Sequence, residues 1–194
     1  MQGYGLGPAS YVVTASDLHP VTPGKSAVKI ADDTYLVIPT ANVQSCAAEI
    51  AHIENWAAEN NLSLYRSKSA KIVFVSPWSK RAVIIPPPSV PGFVRAESIK
   101  VLGVTISRRF SVTEHVDNLS KPCAQTLFAM RTLRHPGLPT NALNGIFRAT
   151  VVAKLSHASP AWWDYANADD KARLEAFQRR SSKLGFRADT APTI

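Results

Sequence analysis

Residues that cross-link a chain, chelate a metal or anchor a protein in a membrane are scarce in this sequence of 194 amino acids. Two cysteines, Cys46 and Cys123, are too few for a disulfide framework or a thiolate zinc site. The five histidines show no spacing typical of metal ligands. Apolar runs are shorter than a membrane span, and the N-terminus lacks the basic-then-apolar order of a signal peptide. We therefore expect no membrane partner and an intracellular location, cytoplasmic or nuclear, rather than secretion.

What the sequence has in excess is positive charge, and that charge is unevenly distributed. The net charge is +8. Residues 1–60 carry two basic and six acidic side chains, whereas residues 61–194 carry 20 basic and eight acidic ones. Basic surfaces attract nucleic acid through phosphate contacts and the release of counterions. The later part of the chain is therefore a candidate surface for a polyanion, and a generic solvated basic surface is the alternative.

Two adjacent acids, Asp32 and Asp33, lie between two short apolar runs. The pattern predicts a strand, a tight turn and a second strand, with both carboxylates at the bend. A turn lets both acids face one side, where paired carboxylates suit hard cations such as Mg²⁺. Because Asp is also a common turn residue for local hydrogen-bonding reasons, a solvated turn without a metal is the alternative.

The remainder of the first part predicts short helices and strands. We expect a helix that ends near His19-Pro20, and an amphipathic helix that Asn42 caps and that buries Trp56 by packing. Strands are expected at residues 71–75, more weakly at 83–85, and from Val101 to Ile106, where Gly103 marks a bulge or a close approach.

From Ser111 onward the pattern becomes helical. Residues 111–114 fit a capping box, and Pro122 is expected to kink or split the helix that follows. A second helix breaks at Pro160, and a third begins near Asp169. Three amphipathic helices joined by short linkers predict a bundle. We expect an α+β fold, with a mixed part at residues 1–106, a helical bundle at 107–185 and a tail at 186–194.

Four short motifs follow one another in a recognisable order. Residues 2–8 read Gln-Gly-Tyr-Gly-Leu-Gly-Pro, residues 30–33 Ile-Ala-Asp-Asp, residues 62–69 Leu-Ser-Leu-Tyr-Arg-Ser-Lys-Ser, and residues 101–104 Val-Leu-Gly-Val. They resemble, in turn, the Gln-Gly-x-x-x-x-Pro motif, the aromatic-Ala-Asp-Asp turn, the Leu-Asn-x-x-Lys-Ser/Thr segment and the Leu-Gly element of reverse transcriptases. The resemblance is closest to RNA-directed DNA polymerases of non-LTR, jockey-like retrotransposons, and it covers nearly the whole chain.

That resemblance implies a partial palm, made of antiparallel strands with packed helices, followed by a thumb-like all-α bundle. Asp32 would be the metal-binding carboxylate and Asp33 its supporting partner in two-metal nucleotidyl transfer with Mg²⁺ or Mn²⁺. The implied partners are an RNA template, a DNA primer and a deoxynucleoside triphosphate.

The resemblance also assigns roles outside the acid pair. Gln2 and Gly3 would lie against the nucleotide and template, Lys68 near the triphosphate, and Leu102 and Gly103 in the primer grip. Candidates for backbone phosphate contacts are Arg108, Arg109, Lys121, Arg131 and Arg134. The plainer alternatives are a Gly-rich turn, a solvated lysine, core packing for Leu102 and Gly103, and a solvated basic face.

The family expects a third essential carboxylate and a fingers region upstream of the Gln-Gly motif. This sequence begins at Met1, directly before that motif, so we expect both to be missing and the metal to be held weakly. The expectation is a fragment of an RNA-directed DNA polymerase that is inactive alone. A non-catalytic nucleic-acid-binding module and an inert retrotransposon remnant are the alternatives.

Overall fold

The computed structural model describes residues 6–76, 89–134 and 137–186, with the side chains of residues 6–8 excepted. It is mixed α and β structure with small antiparallel sheets, which confirms the predicted class. The chain divides into two compact units: residues 1–70 with 85–94, and residues 71–84 with 95–194. Gln2, Gly3 and the strand predicted at 83–85 lie outside the described residues.

The first unit is a β-hairpin accompanied by two helices. Its elements are α1 (Leu6–Thr14), a 3-10 turn (Ala15–Asp17), β1 (Ser26–Ile30), β2 (Asp33–Val37), a 3-10 segment (Thr40–Ser45) and α2 (Cys46–Glu59). Its small buried cluster joins the end of the first helix to the second, through Ala15, Leu18, Trp56 and Ala57. Trp56 packs in this cluster as predicted, and its indole Nε1 donates to Asp17 Oδ1 at 3.0 Å.

The hairpin has the predicted strand–turn–strand form. Strands β1 and β2 are antiparallel, and the closing pair is Ile30 with Asp33, so only Ala31 and Asp32 form the turn. Ala31 has a φ of +51°. Tight two-residue turns need such left-handed angles, which side chains with a Cβ adopt only with strain.

The expected cap of the second helix is wrong. Asn42 lies inside the preceding 3-10 segment, and its side-chain Nδ2 donates to the Pro23 carbonyl at 3.2 Å rather than capping α2. The buried face is also rotated from the apolar stripe that helical spacing predicts, because Glu49 is buried beside Ile50, while Ala47, a member of the predicted stripe, is exposed.

The second unit is mainly helical. Its helices are α3 (Thr113–Arg134), α4 (Thr140–Phe147), α5 (Ala153–Ser156), α6 (Ser159–Trp162) and α7 (Ala168–Lys183). Its strands are β5 (Ser98–Val101) and β6 (Val104–Ser107), whereas β3 (Ala70–Ile72) and β4 (Val94–Ala96) each contain residues of both units. One continuous core runs through α3 to α7 and includes Val104 of β6, so the hairpin β5–β6 packs with the helices.

Two predicted strands differ from those observed. The strand expected at 71–75 is the shorter β3, and the strand expected from Val101 to Ile106 is a hairpin that turns at Leu102 and Gly103. Both turn residues have positive φ, +48° and +89°. A two-residue turn with two positive φ angles matches the right-handed twist of the strands it joins, and Gly103 adopts this angle without strain.

The predicted starts of the first and third helices of this unit are close to those observed, but the capping box and the effect of Pro122 differ from expectation. Ser111 Oγ accepts from the Thr113 N–H, but the Ser111 N–H donates to Ser107 Oγ, so the reciprocal Glu114 half of the capping box does not form. Helix α3 runs through Pro122 without splitting. Asn167 caps α7, accepting from the Asp170 N–H at 2.7 Å.

The second predicted helix contains a π-helical segment, Arg148–Val152, between α4 and α5. The buried residues of the whole stretch from α4 to α5 are four positions apart: Leu143, Phe147, Val151 and Leu155. Four residues overshoot one α-helical turn by about 40°. The wider π turn offsets this drift and keeps the four side chains toward the core.

Replacing Ala31 with glycine is expected to stabilise the hairpin. Glycine removes the left-handed strain at Ala31, and the gain, reduced by greater freedom in the unfolded chain, is about 0.5–1 kcal/mol. The measurement is the free energy of unfolding in urea. Ala27→Gly, at the second residue of β1, is the matched control and should destabilise by about 0.5–1 kcal/mol. Loss of stability in both variants would contradict the strained turn.

Candidate functional site

Asp32 and Asp33 are both exposed at the tip of the hairpin. Asp32 lies in the turn and Asp33 is the first residue of β2. The hydroxyl of Tyr35, two residues along the strand and therefore on the same face as Asp33, donates to Asp33 Oδ2 at 3.3 Å. Burial, followed by the charge and hydrogen bond of Asp33, raises the pKa of the Tyr35 phenol, so that it stays a proton donor at neutral pH.

The hairpin is anchored by a buried ion pair. Lys25, directly before β1, places Nζ 2.8 Å from Glu49 Oε1, and the two side chains are 0% and 1% exposed. The Glu49 carboxylate also accepts from the N–H groups of Val21 at 3.1 Å and Thr22 at 2.8 Å. One carboxylate of α2 therefore holds the loop that leads into β1.

A second lysine ties β1 to the end of the first helix. Lys29 Nζ donates to the carbonyl oxygens of Ala15 and Leu18, the latter at 2.9 Å. A cation is favourable at a helix C-terminus, where carbonyl groups lack helical partners. Both basic residues of the acidic first part thus have internal partners, and this was not apparent from the charge count.

The acid pair offers the ligand type that Mg²⁺ prefers, namely carboxylate oxygens. Two adjacent acids, one in a two-residue turn and one directly after it, suit Mg²⁺, because this ion requires near-ideal coordination geometry. Among the described residues, no group of three or more His, Cys, Asp or Glu side chains is arranged to hold a metal ion. The pair therefore offers the right type of ligand for a divalent cation and would supply part of its coordination sphere.

The segment that carries Lys68 is built around its neighbour, Arg66. The Arg66 guanidinium pairs with both carboxylate oxygens of Glu54, at 2.5 and 2.7 Å, and donates to the Pro91 carbonyl at 2.9 Å. Lys68 is exposed, with Nζ 5.1 Å from the centre of the Tyr65 ring. Both residues lie in the 3-10 turn Arg66–Lys68.

Leu102 and Gly103 lie at the tip of the hairpin β5–β6, in the second unit. His157 Nε2 is 3.0 Å from the Leu102 carbonyl oxygen, and a Cβ on Gly103 would come within 3.1 Å of the same nitrogen. The close approach predicted at Gly103 is therefore confirmed. The Leu102 side chain is exposed, so core packing of that residue is wrong.

The buried His115 lies beneath this hairpin. Its Nδ1 accepts weakly from the Thr105 N–H at 3.4 Å, while its Nε2 is buried without a hydrogen-bond partner among the described residues. Burial, with smaller contributions from His157 and Lys100, lowers the pKa of His115. A neutral imidazole is consistent with its edge-on contact to the Trp162 ring, at 5.2 Å between centroids.

The predicted phosphate-binding cations have different surroundings. Arg108 pairs with Glu97 at 3.1 Å, and Arg134 lies over the Phe186 ring at 4.2 Å. Arg109, Lys121 and Arg131 are exposed.

Helices α3 and α7 line an open basic groove, most of whose cations were not singled out from the sequence. Its basic residues are Lys121, Arg173, Arg179, Arg180 and Lys183. Arg173 pairs with Asp117 at 2.5 Å and Arg179 with Glu175 at 3.7 Å. Lys121, Arg180 and Lys183 have no ion-pair partner in the described part of the chain. The signal in the sequence was the recurrence of Arg and Lys along one helix.

Comparison with known proteins gives no relative: no family model and no curated protein matches the sequence, and no solved structure matches the fold. None of the described helices is long and apolar enough to cross a membrane.

Neutralising Glu49 is expected to destabilise the protein and to make its free energy of unfolding depend less on pH in acid. Burial by itself raises the pKa of Glu49, but hydrogen bonds from Lys25, Thr22 and Val21 lower it to about 2, from an ordinary 4.5. Because the folded value is the lower one, the stabilisation is present above pH 4.5 and is lost as the pH falls toward 2. Glu49→Gln should cost about 3 kcal/mol at neutral pH.

The measurement is urea unfolding between pH 2 and 7. The exposed Glu59, on the same helix, provides the control Glu59→Gln, which should follow the unsubstituted protein. Equal stability of Glu49→Gln and Glu59→Gln at pH 7 would contradict the role given to the buried pair.

Proposed function

We propose that this chain is a palm-and-thumb portion of an RNA-directed DNA polymerase, with Asp32 and Asp33 as its metal-binding carboxylates. The observation that supports this proposal is the position of the pair, with Asp32 in the two-residue turn of an antiparallel hairpin and Asp33 directly after it, both exposed. Adjacent acids on an anchored turn present oxygen ligands with little conformational freedom, which is what a Mg²⁺ site needs.

The two acids have different roles in this proposal. Asp32, in the turn, is the principal ligand, whereas Asp33 is oriented by the Tyr35 hydroxyl that it accepts from. Bound Mg²⁺ or Mn²⁺ supplies neutralisation of phosphate charge. Two carboxylates cover a minority of the positions around two six-coordinate ions, so polymerisation in this proposal needs a further polypeptide segment that carries another carboxylate.

The second unit supports the nucleic-acid half of the proposal. Its groove between α3 and α7 presents Lys121, Arg180 and Lys183 without acidic partners among the described residues. Such cations bind phosphates through charge, and a hybrid duplex is read mainly by shape and backbone rather than by sequence. The groove also favours a second candidate function, a non-catalytic nucleic-acid-binding module that uses these cations without the acid pair.

Asp32→Asn is expected to weaken divalent-cation binding at the hairpin by at least about tenfold, because it removes a charged ligand. Titration with Mn²⁺ should broaden the amide NMR signals of residues 30–35 in the unsubstituted protein. Asp164→Asn, at another exposed acid, is the matched control and should leave this broadening unchanged. Broadening that is equal in the Asp32 variant, or centred elsewhere, would overturn the metal site.

Replacing both Arg180 and Lys183 with glutamine is expected to weaken binding of an RNA–DNA hybrid and lower its salt dependence. Each lost phosphate contact reduces the slope of log affinity against log salt by about 1. Fluorescence anisotropy at several salt concentrations measures this slope. Arg148→Gln, at an exposed cation that does not line the groove, is the control. A slope unchanged by the double substitution would exclude the groove as the binding surface.

A further inference from the structure

Three aromatic rings in the second unit form an exposed stack. The ring centroids of Phe74 and Phe110 are 4.6 Å apart with planes 21° from parallel, and those of Phe110 and Tyr165 are 6.1 Å apart with planes 24° from parallel. Their exposed fractions are 44%, 37% and 51%, respectively. We call these three side chains the aromatic ladder. Its outer members are more exposed than its middle one, as expected if the outer ring faces are open to solvent.

Backbone hydrogen bonds hold the first two rings in place. The Val75 N–H, next to Phe74, donates to the Arg108 carbonyl at 2.8 Å. The Phe110 N–H donates to the Ser107 carbonyl at 2.9 Å and closes the loop after β6. Rings positioned this way lose little conformational entropy when a ligand stacks on them.

The third ring is fixed by the helical core. Tyr165 ends the 3-10 turn Trp163–Tyr165, and the next residue, Ala166, is buried in that core. The Ala166 N–H donates to the Trp163 carbonyl at 3.2 Å. The ladder therefore spans three separate segments of the second unit, each held by its own backbone contacts.

The middle ring occupies a strained backbone position. Phe110 has a φ of +59°, an uncommon angle for a bulky side chain. Strained residues of this kind persist where the surrounding structure requires them, and they cluster at binding sites. In this loop the unusual angle accompanies a half-exposed aromatic ring that lies between two others.

Of the charged residues next to the ladder in sequence, Arg109 favours an anionic ligand, whereas the exposed Asp164, directly before Tyr165, does not. Arg109, between the ladder's Phe110 and the ion-paired Arg108, is exposed and has no ion-pair partner among the residues that the structure describes. An exposed cation next in sequence to one of the rings matches a nucleotide strand, whose bases stack and whose phosphates carry charge. An apolar peptide would use the rings but not the cation.

We propose that the aromatic ladder is a stacking platform for the unpaired bases of a single-stranded nucleic acid, with Arg109 holding an adjacent phosphate. This surface needs neither the acid pair nor a divalent ion, and it is independent of the polymerase assignment. It also differs from the basic groove between α3 and α7, because the groove contacts the backbone whereas the ladder contacts base faces.

The test is the binding of a fluorescein-labelled oligothymidylate of about ten nucleotides, followed by anisotropy in low salt with EDTA. Phe74→Leu and Tyr165→Leu should each weaken binding by at least about fivefold, since a lost base–aromatic stack removes about that factor or more. Phe128→Leu is the matched control, because Phe128 is 70% exposed on α3 and belongs to no aromatic pair among the described residues. It should bind as the unsubstituted protein does.

A second probe separates stacking from charge. An abasic strand of the same length should bind the unsubstituted protein at least about fivefold more weakly than the oligothymidylate does. The ladder variants should bind the two strands with equal affinity. Equal binding of both strands to the unsubstituted protein would overturn the proposal, because phosphate contacts would then account for all of the affinity. Unchanged oligothymidylate binding by the ladder variants would also overturn it. So would a competition experiment in which an apolar peptide, and no nucleic acid, displaces the labelled strand. Circular dichroism of each variant verifies its fold.

Discussion

A carboxylate removed from water must be compensated by hydrogen-bond donors, and Glu49 meets this requirement with three of them. Two are backbone N–H groups of the loop before β1, and the third is the buried ammonium of Lys25. A single side chain on α2 thereby fixes where the hairpin begins. Lys29 adds a second tie, to the carbonyl groups at the end of the first helix. These internal contacts hold the strand that leads to the exposed acids, and the hydrogen bond from the Tyr35 hydroxyl adds a contact to Asp33 itself.

The second unit presents its candidate surfaces in the same manner, on segments held by a well-packed core. The core residues Val104, Leu143 and Trp162 come from a hairpin and two helices. The tip at Leu102 and Gly103 rests against His157, and the basic groove lies between two long helices. The aromatic ladder is carried by three segments of this unit, one of which places Tyr165 directly before the core residue Ala166. Exposed functional candidates on rigid supports are the arrangement that binding sites need, because little entropy is lost when a ligand is held.

Where expectation and structure differ, the physical reasons are specific. Gly103 was predicted inside one strand, because a glycine there signals a bulge or a close approach equally well as a turn. The burial of Glu49 was not predicted, because carboxylates are expected off an apolar stripe. Its position, three residues after Cys46 and four before Ile53, nevertheless fits the buried face. The cations of α7 were visible as a basic helix, but their meeting with Lys121 depends on how α3 and α7 pack.

The sequence by itself determined the local features of this protein. The acids between two apolar runs specify a hairpin turn, and the spacing of apolar residues specifies the helices, because both depend on neighbours a few positions apart. The likeness of its motifs to those of reverse transcriptases supports the proposed function and stays a prediction. Only the tertiary structure decided which distant groups meet: Glu49 with Lys25, His157 with the Leu102 turn, and Phe74 with Phe110 and Tyr165. Such contacts join residues far apart along the chain, and local periodicity carries no information about them.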